Sequence, residues 1–308
     1  MKPAAIKSCA ESGLRSDFQA FGGPVRLPVA GAVDWTRGDC FMWDLDATLI
    51  PVARGFPDTY IEYLKDRLLD RIEREGALDR FGGSRQGARN RLQELIRATT
   101  DPTSCSGFYH VLWQEYGLDA SVERQQSYND VFRYLEREGR FQACARSLWA
   151  IRTFAGAGKH VVVSHSERAW IESALPVYGV NKIMDFVALF GLSDLGLVEK
   201  HTGDRPYLMA RQAFEKARGS PIGMNRMVFF DDAMGNIRYA ASRFGGEGLQ
   251  TVWVNGQVRP DNQALALSRA DMLVPHIALA ALHYMTRSRS GRPGIDARIG
   301  NRPAAVPA

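Results

Sequence analysis

The sequence predicts a three-layer α/β fold, in which helices cover both faces of a parallel β-sheet, with an all-helical insertion. Two observations lead to this prediction. From about residue 148 onward, short apolar runs alternate with segments of helical periodicity, which is typical of parallel sheets. Before that, an apolar run at 41–43 is followed by a long stretch, 51–145, that has helical periodicity and contains no convincing strand.

Two aspartates, Asp44 and Asp46, directly follow the strand predicted at 41–43, and Thr48 comes next. Side chains at i and i+2 of an extended segment point the same way, so the two carboxylates would share a small space. Close like charges in a poorly solvated site need a cation or a proton to hold them. The pattern therefore indicates metal or acid–base chemistry, with a turn or capping role as the alternative.

Four helices are predicted within the insertion, each with apolar residues spaced three and four apart. Three of them end at a glycine, namely Gly76, Gly117 and Gly139. On the third helix, Tyr109 and Trp113 are predicted to belong to the apolar core of the insertion. Stacking against a ligand is the alternative for these two rings.

The remaining strands and helices alternate along the chain. Strands are predicted at 160–163, 186–190, 226–230 and 249–254, and helices at 167–175, 207–217, 236–244 and 271–285.

These elements divide the chain into four units. The core is predicted at 36–50 and 146–285, with the insertion, 51–145, between its two parts. Residues 1–35 are predicted to form an irregular extension. Residues 286–308 are rich in Arg, Gly and Pro, cannot bury enough apolar surface to fold, and are predicted to form a disordered basic tail. Because no aromatic residues interleave with these arginines, the tail argues against nucleic-acid binding.

The composition is that of an ordinary soluble protein, with 45% hydrophobic and 24% charged residues and a net charge of +5 over 308 residues. No apolar run approaches the roughly 20 residues that a membrane helix needs, and the N-terminus lacks the apolar core of a secretory signal. The four cysteines form no C-x-x-C pair, which argues against a zinc site or disulfide framework. A cytoplasmic protein without a membrane partner is expected.

Further polar residues follow the later strands. Ser164 and His165 precede a helix whose free N–H groups favour an anion, and Asp231 and Asp232 follow the strand at 226–230. Because the carboxyl ends of parallel strands border one crevice, these side chains are expected to meet Asp44 there. Hard oxygen ligands suit Mg²⁺, and a lysine suits phosphate.

In chain order, the sequences DLDAT, the strand–Ser164 junction, a lysine and VFFDDAMGN resemble the four motifs of the haloacid dehalogenase (HAD) superfamily. The resemblance covers about 40–285 and implies a Rossmann-like core with a helical cap inserted after the first strand. The second aspartate of D-x-D is typical of phosphatase-type members. The segment EYGL at 115–118 and the doubled aspartate at 231–232 are also similar to the pyrimidine 5′-nucleotidase branch.

The resemblance implies a Mg²⁺-dependent phosphohydrolase that cleaves a small phosphomonoester, with nucleoside monophosphates as one candidate class. Asp44 would attack phosphorus to give an aspartyl-phosphate, and Asp46 would act as acid and then as base. Ser164 would contact a phosphoryl oxygen, and Lys200 would offset the charge of the phosphate and the nucleophile. Fixed donors and cations are the main catalytic resource for such a transition state.

The resemblance also implies a Mg²⁺ site. Asp231, the Asp44 side chain and the backbone carbonyl of Asp46 would hold the ion. Asp232 would be a ligand through water or a structural support.

The identity of the phosphate-site cation stays open between two residues. Counting forward from the preceding glycine gives Lys200, whereas counting backward from Asp231 gives Arg205. An insertion at 201–204 would reconcile the two counts. Lys200 is preferred because a compact ammonium can serve phosphate and Asp44 together, in which case Arg205 would contact substrate or the rim.

Substrate contacts are further predicted for Thr48, Ser164 and His165. His165 stands where the family usually has asparagine, and a positional role is preferred to metal ligation. Two other functions use the same residues. One is a phosphate-binding or regulatory module with weak catalysis, and the other is a phosphotransferase.

Overall fold

The structure, a computed structural model, describes residues 30–51, 56–99, 106–141, 144–254 and 270–290.

A seven-stranded β-sheet lies at the centre of the described residues. Its strands are β1 (Ala30–Gly31), β2 (Cys40–Trp43), β3 (Lys159–Val163), β4 (Phe186–Phe190), β5 (Met227–Asp231), β6 (Gln250–Val254) and β7 (Met272–Val274). They are ordered β1-β7-β6-β5-β2-β3-β4. Strands β2 to β7 run parallel, and β1 pairs antiparallel with β7 at one edge. The predicted parallel α/β sheet is therefore confirmed.

Nine α-helices accompany the sheet in the described ranges. They are α1 (Phe56–Arg74), α2 (Arg85–Thr99), α3 (Ser106–Tyr116), α4 (Ser121–Arg137), α5 (Ala145–Ala155), α6 (Arg168–Val177), α7 (Arg205–Arg218), α8 (Met234–Phe244) and α9 (Ile277–Ser290). Helices α1 to α4 share an apolar core of their own, which matches the all-helical insertion expected between the first two parallel strands. The exact limits of the predicted units stay a prediction.

Strand β2 is buried on both faces of the sheet. Its side chains alternate between these faces, so each face contributes to a different apolar layer. Phe41 and Trp43 pack with residues of α5, α6 and α9 on one face. Cys40 and Met42 pack with residues of α7 and α8 on the other face. This arrangement gives the three predicted layers.

The order of the strands places a crevice beside β2. Strand β2 pairs with β3 on one side and with β5 on the other, so the order of the strands in the sheet reverses at β2. In open parallel sheets, ligands bind beyond the carboxyl ends of strands at such a point. The residues that follow β2, β3 and β5 therefore border this crevice.

The prediction that residues 1–35 form an irregular extension is wrong for the last of these residues. Residues 30 and 31 form β1, and Val33 and Trp35 are buried in the core. A two-residue strand carries no periodicity that a sequence could reveal. The preceding residues, 1–29, lie outside the described residues.

Three further differences concern the second half of the core. Helix α5 was not predicted, and β7 was assigned to a helix because three residues are too few to establish alternation. The last helix, α9, continues to Ser290 and so includes the start of the predicted tail, 286–308. Residues 291–308 lie outside the described residues.

Within the described residues, no helix combines the length and the apolar character needed to cross a bilayer.

A buried histidine on β3 predicts a loss of stability in mild acid. His160 is 1% exposed and accepts a hydrogen bond from the Trp43 indole (3.2 Å). Burial lowers the pKa of His160 from 6.5 to about 4. Between these values the unfolded chain binds a proton that the folded chain does not, so stability falls as the pH is lowered from 6.5 towards 4.

Chemical denaturation at pH 7 and pH 5 measures this effect. We expect the wild type to lose about 2 kcal/mol more than His160→Gln over this interval, because the glutamine cannot titrate. Equal losses in the two proteins would show that His160 does not carry the effect.

Candidate active site

A buried lysine joins the carboxylates of two neighbouring strands. Asp44 directly follows β2, where its amide donates to the carbonyl of Phe230 (2.9 Å), and Asp231 ends β5. The Lys200 ammonium lies 2.5 Å from Asp44 Oδ1 and 2.6 Å from Asp231 Oδ2. It also donates to the carbonyl of Val163 at 3.1 Å. Asp44, Asp231 and Lys200 are all buried, and Lys200 is 0% exposed.

The centre holds more negative charge than this one ammonium offsets. Oxygens of Asp44, Asp231 and Asp232 all lie within 4.8 Å of one another. Burial and the charge of Asp231 together raise the pKa of Asp232 to about 6, against the lowering effect of Lys200. Burial would lower the pKa of Lys200, but the charges of Asp231 and Asp44 outweigh it, so this pKa stays above its ordinary value and Lys200 remains an ammonium.

These three carboxylates fit a divalent cation. Closely spaced, hard oxygen donors with incomplete charge compensation are what Mg²⁺ binds in proteins. Burial, opposed by Lys200, raises the pKa of Asp44 well above its ordinary value, and Asp231 and Asp232 raise it further. A second positive charge would relieve this repulsion.

Asp231 is held in place by the start of α8. Its Oδ1 accepts from the Ala233 amide (2.8 Å), and both its oxygens lie 3.0 Å from Asn236 Nδ2. The carboxylate is thereby fixed before any ligand binds. Asn236 belongs to the run VFFDDAMGN, so its place in this motif was a signal available in the sequence.

Asp46 is held separately from the three carboxylates. Its Oδ2 accepts from the Ser166 hydroxyl (2.8 Å), and its Oδ1 accepts from the Trp170 indole (3.1 Å). Burial raises the pKa of Asp46, while hydrogen bonds from Ser166 and Trp170 lower it, and burial prevails. A carboxyl group with a raised pKa retains its proton more readily, which suits a general acid.

The turn after β3 connects Ser164 and His165 to the loop that carries Lys200. The Ser164 oxygen accepts from the Ser166 amide (3.0 Å), which leaves its hydroxyl hydrogen able to donate. His165 Nε2 accepts from the backbone amide of Lys200 (2.9 Å). Burial lowers the pKa of His165 well below its ordinary value, and Lys200 and His201 lower it further, so the ring is neutral. This geometry favours the positional role for His165.

Two residues predicted to bind substrate lie apart from these contacts. Thr48 is 4% exposed, and its hydroxyl has no hydrogen-bond partner among the described residues. Arg205 is exposed at the first position of α7, where its guanidinium packs against Gly196. Of the two cations left open by the sequence, Lys200 is the one whose Nζ contacts Asp44.

The sequence reasoning missed the residues that support this centre from α6 and from the insertion. Ser166 lies two residues before α6 and Trp170 lies in its first turn, and both donate to Asp46. Arg124 on α4 forms a buried ion pair with Glu167, which also accepts from the Ser193 hydroxyl (2.6 Å). Nothing in the helical pattern of α4 distinguishes Arg124 from a solvent-facing arginine.

No family model matches this chain, and no curated protein matches it. Several solved structures are similar to it at low identity. One is a beta-phosphoglucomutase from Clostridium difficile, with 14% identity, coverage of 82% of this chain and 97% of that chain, and a TM-score of 0.48. Another is CbbY from Rhodobacter sphaeroides in complex with xylulose-(1,5)bisphosphate (17%, 79% and 97%, TM-score 0.49). A third is the L-2-haloacid dehalogenase from Xanthobacter autotrophicus with chloropropionic acid covalently bound (14%, 81% and 98%, TM-score 0.43).

At these identities the similarities do not bear on what the chain binds or catalyses. The fold and the buried centre by themselves define an α/β protein with an acidic crevice and one buried ammonium at the carboxyl edge of its sheet.

Proposed function

We propose that this protein is a hydrolase of the HAD superfamily, a Mg²⁺-dependent phosphatase that cleaves a small phosphomonoester. The observation that carries this proposal is the fully buried Lys200 ammonium between Asp44 and Asp231. Burying an ammonium and two carboxylates costs desolvation free energy that their mutual attraction can fail to offset. The arrangement is therefore weak evidence for a role in stability. It is well suited to hold a nucleophilic carboxylate beside an anionic substrate.

The reaction proceeds in two displacements at phosphorus. In the first, an Asp44 oxygen forms a bond to phosphorus while the ester P–O bond breaks, and the leaving oxygen takes a proton from Asp46. In the second, Asp46 accepts a proton from water as the water oxygen displaces the Asp44 carboxylate and inorganic phosphate forms. Ser164 donates to a phosphoryl oxygen, and Lys200 offsets the negative charge of the reacting groups.

Asp44, Asp231 and the backbone carbonyl of Asp46 would hold Mg²⁺ in this proposal, with Asp232 beside them. The ion would supply positive charge to the phosphoryl oxygens. Helices α1 to α4 would select the substrate, and nucleoside monophosphates remain one candidate class.

Phosphate release from p-nitrophenyl phosphate tests this function. We expect turnover with Mg²⁺, loss of turnover in EDTA, and recovery when Mg²⁺ is restored. A panel of nucleoside monophosphates and sugar phosphates extends the test to natural leaving groups. Tight binding of phosphomonoesters without turnover across the panel would contradict the proposal and favour a binding module.

The Asp232→Asn variant tests the metal site. We expect the Mg²⁺ concentration that gives half-maximal activity to rise about tenfold, because groups that support a metal typically affect its affinity by that order. Asp185→Asn is the matched control, since Asp185 is exposed and precedes β4 at the opposite edge of the sheet. An unchanged Mg²⁺ requirement in Asp232→Asn would exclude Asp232 from the site.

A further inference from the structure

A cavity of about 340 Å³ lies between the helical insertion and the core. This volume is at the lower end of the range of small-molecule sites. The insertion contributes Tyr109, His110, Trp113 and Arg124 to its walls, and the core contributes Leu192, Leu197, Glu199 and Thr202.

Each wall of this cavity carries an exposed apolar side chain. Trp113 on α3 is 56% exposed, so the prediction that it belongs to the core is wrong, and Leu197 in the loop after β4 is 54% exposed. Leu197 also has a φ of 63°, a left-handed conformation that is strained for a leucine. Exposed apolar groups that line one concavity from both sides are typical of a ligand site.

The charged groups of the walls have partners within the protein. Arg124 is 4% exposed, pairs with Glu167, and lies over the ring of Tyr109 at 4.1 Å. Glu199 lies 3.1 Å from the His201 ring. Because Arg124 and Glu167 carry opposite charges, their pairing leaves little net charge on the Arg124 wall for a ligand to neutralise. Arg124 Nε is buried without a hydrogen-bond partner among the described residues.

The cavity borders the loops that carry the reacting groups. Glu199 and Thr202 flank Lys200, whose ammonium contacts Asp44. Glu167, the partner of Arg124, lies three residues after Ser164 in the chain. The cavity and the crevice are therefore connected through the loop that carries Lys200.

We propose that this cavity binds a flat, uncharged aromatic ring in the leaving group of the phosphomonoester, and that the ring contacts Trp113 on one wall and Leu197 on the other. The inference rests on the proposed function and narrows its substrate class to ring-bearing esters. A flat ring suits the site because both its faces are apolar and it can stack on the indole.

Binding of two phosphonates that the protein cannot hydrolyse tests the inference apart from catalysis. Benzylphosphonate and ethylphosphonate share the charged group and differ in the ring. Calorimetry with Mg²⁺ present is expected to give wild-type protein at least about tenfold tighter binding of benzylphosphonate. In Trp113→Ala this ratio should fall to near one, while Trp113→Phe should retain part of it.

Val122→Ala is the matched control, because Val122 is 55% exposed on the same helical insertion and does not line the cavity. It should keep the wild-type ratio. Equal affinities in the wild type, or a preference that survives Trp113→Ala, would overturn the inference. If the ring preference is found but no phosphomonoester is hydrolysed, the proposed function fails and the ring site stands.

Two hydrolysable substrates, benzyl phosphate and cyclohexylmethyl phosphate, separate the effect of a flat ring from that of apolar size. A higher kcat/KM for benzyl phosphate is expected, and equal values would contradict a site for a flat ring. A comparison of kcat/KM for adenosine monophosphate and ribose monophosphate then shows whether a nucleobase can supply the ring, as distinct from a simple aryl group.

Discussion

An Asp44→Asn variant is expected to retain less than about 10⁻⁴ of the wild-type kcat with p-nitrophenyl phosphate. An amide is a much weaker nucleophile than a carboxylate, so the first displacement at phosphorus should stop. Binding of substrate should survive, because Ser164 and Lys200 remain. The fold should survive as well, since the Lys200 ammonium keeps its 2.6 Å contact with Asp231.

Kinetics and thermal unfolding on the same preparation separate these effects. Asp194→Asn is a suitable control, because Asp194 accepts from the Gly191 amide in the loop after β4 and takes no part in the proposed reaction. Its kcat should stay within a few-fold of the wild type. Retention of a tenth of the activity by a folded Asp44→Asn protein would remove Asp44 from the role of nucleophile. Asp46→Asn should also lose activity, because both proton transfers depend on that carboxyl group.

The second large effect concerns stability as well as catalysis. Lys200→Met should destabilise the metal-free protein by about 3–5 kcal/mol, since two buried carboxylates lose their shared cation. Activity should also be lost, since no ammonium would offset the phosphate. We expect Mg²⁺ to stabilise this variant more than the wild type, because a cation bound among Asp44, Asp231 and Asp232 would replace part of the missing charge.

Denaturant unfolding with and without Mg²⁺ measures both parts of this prediction. Lys65→Met provides the control, because Lys65 is also buried, at 4% exposure, and lies 2.6 Å from both Glu62 and Gln93 in the insertion. Its stability can fall, but its response to Mg²⁺ should match that of the wild type. If the two variants respond alike to Mg²⁺, the metal does not bind beside Lys200.

The parallel sheet could be predicted from the sequence because its central strands are continuous apolar runs separated by helices. The run at 41–43 gave β2, and the runs at 160–163 and 226–230 gave β3 and β5 closely. The short strands β1 and β7 could not be found, because β1 lies at the edge of the sheet and pairs with β7 across most of the chain.

For the candidate site, spacing along the chain revealed which residues follow the strands. The choice between Lys200 and Arg205 could not be made in that way, because it depends on the path of the loop after β4. The contacts of Asp46 also lay beyond the sequence, since Trp170 reaches it from the next layer of the fold. Trp113 was assigned to the core because helical periodicity does not reveal whether an aromatic face meets a neighbour or a cavity.

The cavity between insertion and core also bears on how this protein could diverge. Trp113 lies on α3, whereas Asp44, Lys200 and Asp231 all lie in the core around the sheet edge. Mutations on α3 could therefore alter which ester is accepted while leaving the phosphoryl chemistry intact. A laboratory selection for new substrates would do best to randomise that helix first and to keep the charged centre constant.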